Sequence, residues 1–132
     1  MNTNLLRTIT PEEIDTYHRD GVLLLQNMFD KDWIELLDKG LDVNIKTPTR
    51  RSRIWHKDTS GHSMFYDHTA WQGIDEYKKF IFNSPAAQIC GRLTGSTAIN
   101  FFFDSVFVRS TGTQFETPWH QDEPYWSVEG YD

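Results

Sequence analysis

The stretch Trp119-His120-Gln121-Asp122, followed by Pro124-Tyr125-Trp126, sets an imidazole and a carboxylate two residues apart among large aromatic rings. In an extended strand, side chains at i and i+2 share a face. His120 and Asp122 can therefore aim a nitrogen and an oxygen at one point, as a divalent-metal site requires. The rings of Trp119, Tyr125 and Trp126 can wall a cavity and keep water from a reactive centre. The plainer alternative is an ion pair at a sheet end surrounded by ordinary core. Two other H-x-D matches show how little the bare pattern is worth. His18-Arg19-Asp20 falls at a predicted helix end, where i and i+2 lie about 200° apart and the side chains diverge. His56-Lys57-Asp58 falls in a polar loop, where chelation is possible but nothing fixes the orientation.

Other constellations are weaker. His56, His62 and His68 recur every six residues, but the close ligand pairs and cysteines of a zinc site are absent. Arg50, Arg51 and Arg53 form the one basic cluster, read either as a receptor for an anion such as a coenzyme A phosphate or as a solvated loop face. Cys90, beside Ile89 and Leu93, reads as a small buried hydrophobe. No phosphate-binding glycine loop and no G-x-S-x-G elbow occurs.

The elements that must position the pair follow from local signals. Thr10-Pro11-Glu12-Glu13 predicts a helix start with a capping box, and Gly21 its end. "GVLLLQ" predicts a short strand. Asp30 then caps a second helix whose Ile34, Leu37 and Leu41 form a buried stripe. Residues 44–70 are polar and aperiodic, which predicts a long surface loop. Trp71, Ile74, Tyr77 and Ile81 predict a third helix docked outside a sheet, and Ser84-Pro85 opens a fourth that Gly95 ends. From Thr97 the period becomes two: Ile99, Phe101 and Phe103, then "SVFVR", are extended, and after the Ser110–Thr113 turn Phe115 to Asp122 returns extended. Helices before strands predict an α+β class with helices outside an antiparallel sheet.

The 132 residues are about the size of one domain, or part of one. A net charge of −6 argues against general nucleic-acid binding. No apolar stretch is long enough for a membrane span, no secretory leader is evident, and a single cysteine suits a reducing cytoplasm.

Trp119-His120-Gln121-Asp122 with Pro124-Tyr125-Trp126 resembles the metal-binding signature of the phytanoyl-CoA dioxygenase family, a branch of the iron(II)/2-oxoglutarate oxygenases. "ITPEEIDTYHRDGVLLLQNMF" and "FFFDSVFVR" are similar to that family's N-terminal helix and strand and to the strands before its motif, so nearly all of residues 1–132 is covered. The resemblance implies a double-stranded β-helix, or jelly roll, holding Fe(II) through two histidines and a carboxylate, with three positions left for 2-oxoglutarate and oxygen. His120 and Asp122 would be two of the ligands. An intact Asp122 favours hydroxylation, since halogenating relatives replace it with a small residue. Gln121 and Arg109 are candidate 2-oxoglutarate contacts, although strand alternation turns Gln121 from the iron and Arg109 reads equally as a surface cation. Trp119, Tyr125 and Trp126 are candidate contacts to a small organic or acyl substrate.

In that family the second histidine and the 2-oxoglutarate arginine lie well downstream of H-x-D, past position 132. The chain is thus expected to be the N-terminal part of such a domain and inactive alone. It is also expected to self-associate through exposed sheet edges. The competing class is a non-enzymatic jelly-roll fragment acting in binding or assembly.

Overall fold

The computed structural model describes residues 1–55, 59–113 and 116–126. Helix α1 (Pro11–Asp20) starts as its first turn dictates. The Thr10 hydroxyl accepts from the Glu13 N–H, and the Glu13 carboxylate accepts from the Thr10 N–H. Arg7 adds two 2.8 Å hydrogen bonds to the same carboxylate, and these hold Glu13 down at about 2. Gly21, at φ 70°, ends the helix in the left-handed conformation that glycine adopts without strain.

Helix α2 (Lys31–Lys46) begins at Asp30, whose side chain accepts from the Trp33 N–H. Helices α3 (Asp75–Asn83) and α4 (Ala86–Thr94, ended by Gly95) follow as the sequence predicts, with one 3-10 turn at Ala70–Gln72 before α3. The phase of α2 differs from the expected stripe. Trp33, Gly40 and Asn44 face inward while Ile34 is 56% exposed. Gly40 explains the rotation: a Cβ there would lie 2.9 Å from both Glu76 Cβ and Tyr77 Cε1, so only glycine lets α2 and α3 approach this closely. Ala70, Ile74 and Tyr77 form the buried cluster, against which Leu37, Trp71 and Val106 pack. The docking of α3 through Trp71, Ile74 and Tyr77 is as expected, with Ile81 half-buried.

Strands β1 (Arg53–Trp55), β2 (Met64–His68) and β3 (Ser105–Arg109) make an open antiparallel sheet in the order β1-β2-β3. Residues 44–70 are therefore not one surface loop. They contain the end of α2 and two strands, and Met64, Asp67 and Ala70 are buried. The "GVLLLQ" segment is not a strand. Val22 and Leu24 are 70% and 79% exposed, and no neighbouring strand offers that run a hydrogen-bonding ladder among the described residues. Residues 97–104 are likewise outside β3, and 116–121 join no ladder. Cys90 is exposed rather than buried, because the inward side of α4 is taken by Ile89 and Leu93.

Register divides the sheet into two faces, since residues paired across antiparallel strands point the same way. Phe65, Asp67, Val106 and Val108 face the helices. Asp67, fully buried, accepts from Asn44 Nδ2 at 2.8 Å, from Thr49 N at 2.8 Å and from Thr49 Oγ1 at 2.5 Å. Burial pushes its carboxyl up, but the bonds from Thr49 and Asn44 outweigh that and hold it below the usual carboxylate range. The clamp fixes the turn leading into β1. The opposite face carries Arg53, Trp55, Met64, Tyr66, His68, Ser105, Phe107 and Arg109.

Candidate functional site

On this second face the rings line up across the strands. Trp55 stacks on Tyr66 with centroids 5.1 Å apart and planes 13° from parallel, and Tyr66 meets Phe107 at 4.8 Å. These rings, with Met64, form one wall of a cleft of about 900 Å3. The opposite wall is the segment 117–126. Arg109 Nη2 donates to Thr117 Oγ1 at 3.0 Å at one end. At the other end Trp126 packs on Phe102 and Phe103, at 5.4 and 4.5 Å. Because Phe102 and Phe103 precede β3 while Arg109 closes it, residues 117–126 run antiparallel to β3 and are tied down at both ends.

Between those ties sit His120 and Asp122. His120 Nδ1 lies 2.8 Å from Pro118 O. A carbonyl oxygen only accepts, so Nδ1 carries the proton and Nε2 is left to face outward. Nε2 lies 3.0 Å from Asp122 Oδ1. The spacing matches two adjacent ligands about 2.1 Å from one metal ion, and a ring N–H given to a backbone carbonyl is how metal-bound histidines are oriented. Both side chains remain open to solvent, 49% and 76% exposed, which leaves room for exchangeable ligands. Among the described residues no group of three His, Cys, Asp or Glu is placed to hold a metal ion, so the pair supplies two donors.

The other predicted residues sort by position. Arg109, Tyr125 and Trp126 line the cleft with the pair; a 3-10 turn at Glu123–Tyr125, in which Tyr125 N donates to Asp122 O, folds the two rings back. Trp119 is fully exposed and Gln121 is exposed, and neither lines the cleft; alternation sends both to the side opposite His120 and Asp122. Tyr125 and Trp126 thus contribute rings to the cleft as expected, Trp119 does not, and Trp55, Tyr66 and Phe107 supply the rest. His18 and Asp20 diverge: Asp20 takes Arg19 at 2.8 Å while His18 packs edge-on to Tyr17. His56 and Asp58 lie outside the described residues. His68 shares the cleft's face of the sheet but bonds Thr69 Oγ1 and does not line the cleft. Arg50, Arg51 and Arg53 are exposed on and beside the turn that Asp67 anchors.

Trp55, Met64, Tyr66, Phe107, Thr117 and Pro118 were not among the residues singled out from sequence. The alternation Met64-Tyr66-His68 and Phe107-Arg109 is the signal that finds the wall, once residues 64–68 are taken as a strand. The family model described as Phytanoyl-CoA dioxygenase (PhyH) matches residues 17–131 of this chain. No curated protein and no solved structure matches it.

Proposed function

This chain belongs to the phytanoyl-CoA dioxygenase family, and from that premise we propose that its cleft is part of the active site of an Fe(II)- and 2-oxoglutarate-dependent hydroxylase of small organic or acyl substrates. The observation that carries the reading is the His120–Asp122 pair, with Nε2 freed by the Nδ1–Pro118 hydrogen bond and Oδ1 at 3.0 Å. A nitrogen and a carboxylate oxygen suit Fe(II), and they are two of the three donors of a facial triad. Bound there, iron supplies the oxygen activation that is coupled to conversion of 2-oxoglutarate into succinate and carbon dioxide.

The chain's own residues do the rest. Pro118 O holds the histidine tautomer. Arg109, on β3 across the cleft, is the cation available to a 2-oxoglutarate carboxylate, and a guanidinium-carboxylate contact is a strong charge-assisted one. The rings of Trp55, Tyr66, Phe107, Tyr125 and Trp126 exclude water and receive the substrate. An intact Asp122 suits hydroxylation. The three-stranded sheet is proposed as one part of a jelly roll. The described residues supply two donors, which do not define a triad, so the 132-residue chain alone is expected to bind Fe(II) weakly and to make no succinate.

The test is anaerobic Fe(II) titration of the chain and of His120→Ala and Asp122→Ala, followed by succinate measurement with 2-oxoglutarate and oxygen. Binding lost in both variants supports the site; binding untouched by either removes it. A second reading, binding or assembly without turnover, is favoured by the exposure of Phe107, Trp119 and Tyr125 and by the outer edges of β1 and β3, which pair with no strand among the described residues. Concentration-dependent oligomers in light scattering, with no metal binding, would select it.

A further inference from the structure

The charges and rings of the cleft are unevenly divided. Among the described residues lining it, His120 and Asp122 face each other and Arg109 is the remaining charged side chain. Its Nη2 bonds to the neutral Thr117 hydroxyl, and no carboxylate answers it among the described residues. Everything else on the walls except Thr117 is apolar or aromatic: Trp55, Met64, Tyr66, Phe107, Tyr125 and Trp126, with Pro118. On the reading above, the metal pair and the cosubstrate use all three charged groups. Among the described residues, a substrate filling the remaining space meets rings and no second charge.

We propose that the substrate class of this site is an uncharged, ring-bearing apolar molecule, laid against the Trp55–Tyr66–Phe107 row. A charged group placed there would lose its water without gaining a partner. Neighbouring centroids 5.1 and 4.8 Å apart make the row a continuous ring surface across three strands, and contacts between rings add favourable geometry beyond the area they bury. A flexible linear chain makes no use of that geometry and gives up more rotational freedom on binding. The inference rests on Arg109 being reserved for the cosubstrate, and its test keeps the two ideas apart.

Two fluorescent probes share one ring skeleton and differ by a charge: neutral N-phenyl-1-naphthylamine and anionic 8-anilinonaphthalene-1-sulfonate. Each is titrated into the full chain without metal, then with millimolar 2-oxoglutarate. The neutral probe is expected to bind and to be unaffected by 2-oxoglutarate or by Arg109→Gln. The anionic probe is expected to be displaced by 2-oxoglutarate and weakened by Arg109→Gln. Trp55→Leu and Phe107→Leu, which keep an apolar side chain at exposed positions and remove only the ring, should each weaken the neutral probe by roughly 2- to 10-fold. Decan-1-ol should displace it less well than 2-naphthol, although both are uncharged and have ten carbons.

Neutral-probe binding that is indifferent to both leucine variants, or better displaced by the linear alcohol, overturns the ring-bearing class. Displacement of the neutral probe by 2-oxoglutarate overturns the division of the cleft. Loss of the signal as the chain self-associates would mean that a second copy covers the row, and overturns the proposal too. Failure of Fe(II) to bind leaves every probe result standing, so the two readings fail separately.

Discussion

The two faces of the sheet are built on opposite terms. Towards the helices, Val106 packs on Ala70, Ile74 and Tyr77, and the one buried carboxylate that sits close by, Asp67, has three hydrogen bonds. Towards the cleft, Phe107 is 58% exposed, Tyr125 74%, and His120 and Asp122 lean on each other across 3.0 Å of solvent-accessible space. One face is closed and largely hydrogen-bonded, with Asn44 Oδ1 and Asp104 Oδ1 as its exceptions, which is what stability needs; the other keeps donors and rings available, which is what chemistry needs. The same strands carry both, because alternation gives Asp67 to one side and Tyr66 and His68 to the other.

The sharpest way to break that comparison is at the clamp. Asp67→Ala strands the Thr49 N–H, the Thr49 hydroxyl and the Asn44 amide without an acceptor, and Asn44 Oδ1 is already unpartnered. We expect a loss of about 3–5 kcal/mol in urea unfolding, in line with removal of one member of a buried charged network. The lowered carboxyl of Asp67 gives the sign of the pH effect: its stabilisation is present above the unfolded-state value and is lost as pH falls through the folded one. The wild-type midpoint should therefore drop on acidification, and Asp67→Ala should flatten that drop. A variant as stable as wild type at pH 7 would mean that this face owes little to the clamp.

His120→Ala tests the other face. It should weaken Fe(II) binding by about 100-fold or more, since one of two proposed donors is gone, while the unfolding free energy in urea shifts by less than about 0.5 kcal/mol because the side chain is half exposed. A large stability loss there would show that the site face also holds the fold together.

These two substitutions also mark what was legible in the sequence. Helix ends are local events: Thr10 with Glu13, Asp30 with Trp33, and Gly21 and Gly95 each announce themselves within four residues, and the structure has all of them. The His120–Asp122 spacing is local in the same way: the two residues stand two apart, and the structure brings Nε2 to 3.0 Å from Oδ1. Asp67 was not legible, because a buried carboxylate interrupts the apolar alternation of "MFYDH" and its partners, Asn44 and Thr49, lie 23 and 18 residues away. The reverse error occurred at "GVLLLQ", where an apolar run has strand composition but no adjacent strand. On α2 the apolar period points to Ile34, whereas the inward position of Gly40 follows from close approach to α3 and is invisible without α3 in place.

A smaller effect is expected at Trp126, which fastens the end of the 117–126 segment to Phe102 and Phe103. Trp126→Ala should leave His120 and Asp122 chemically intact but less well held, weakening Fe(II) binding by roughly 10-fold, the scale seen when groups that orient ligands are removed. Trp126→Phe should recover most of that loss. Equal behaviour of the two variants would show that the ring does not position the pair.

The smallest effect runs against the usual direction. Asp104 sits just before β3, where its Oδ2 accepts from the Trp71 N–H at 3.2 Å while its Oδ1 is buried with no partner. Burial raises its carboxyl above the usual range; the Trp71 bond opposes this and nearby Asp67 adds to it. A carboxyl raised in the folded state favours folding below its unfolded-state value and costs stability once pH rises through the folded one. At pH 7 Asp104 is therefore a charge that the fold carries at a loss. Asp104→Asn keeps an oxygen for Trp71 and removes the charge, so the unfolding free energy in urea at pH 7 should rise by up to about 1 kcal/mol. The gain should shrink towards pH 3, where the wild-type carboxyl is protonated in both states. Because Phe103 is its neighbour and packs on Trp126, Fe(II) binding should be unchanged if the helix-facing side works independently of the cleft. A gain in stability accompanied by altered Fe(II) affinity would show instead that the two faces are coupled through the start of β3.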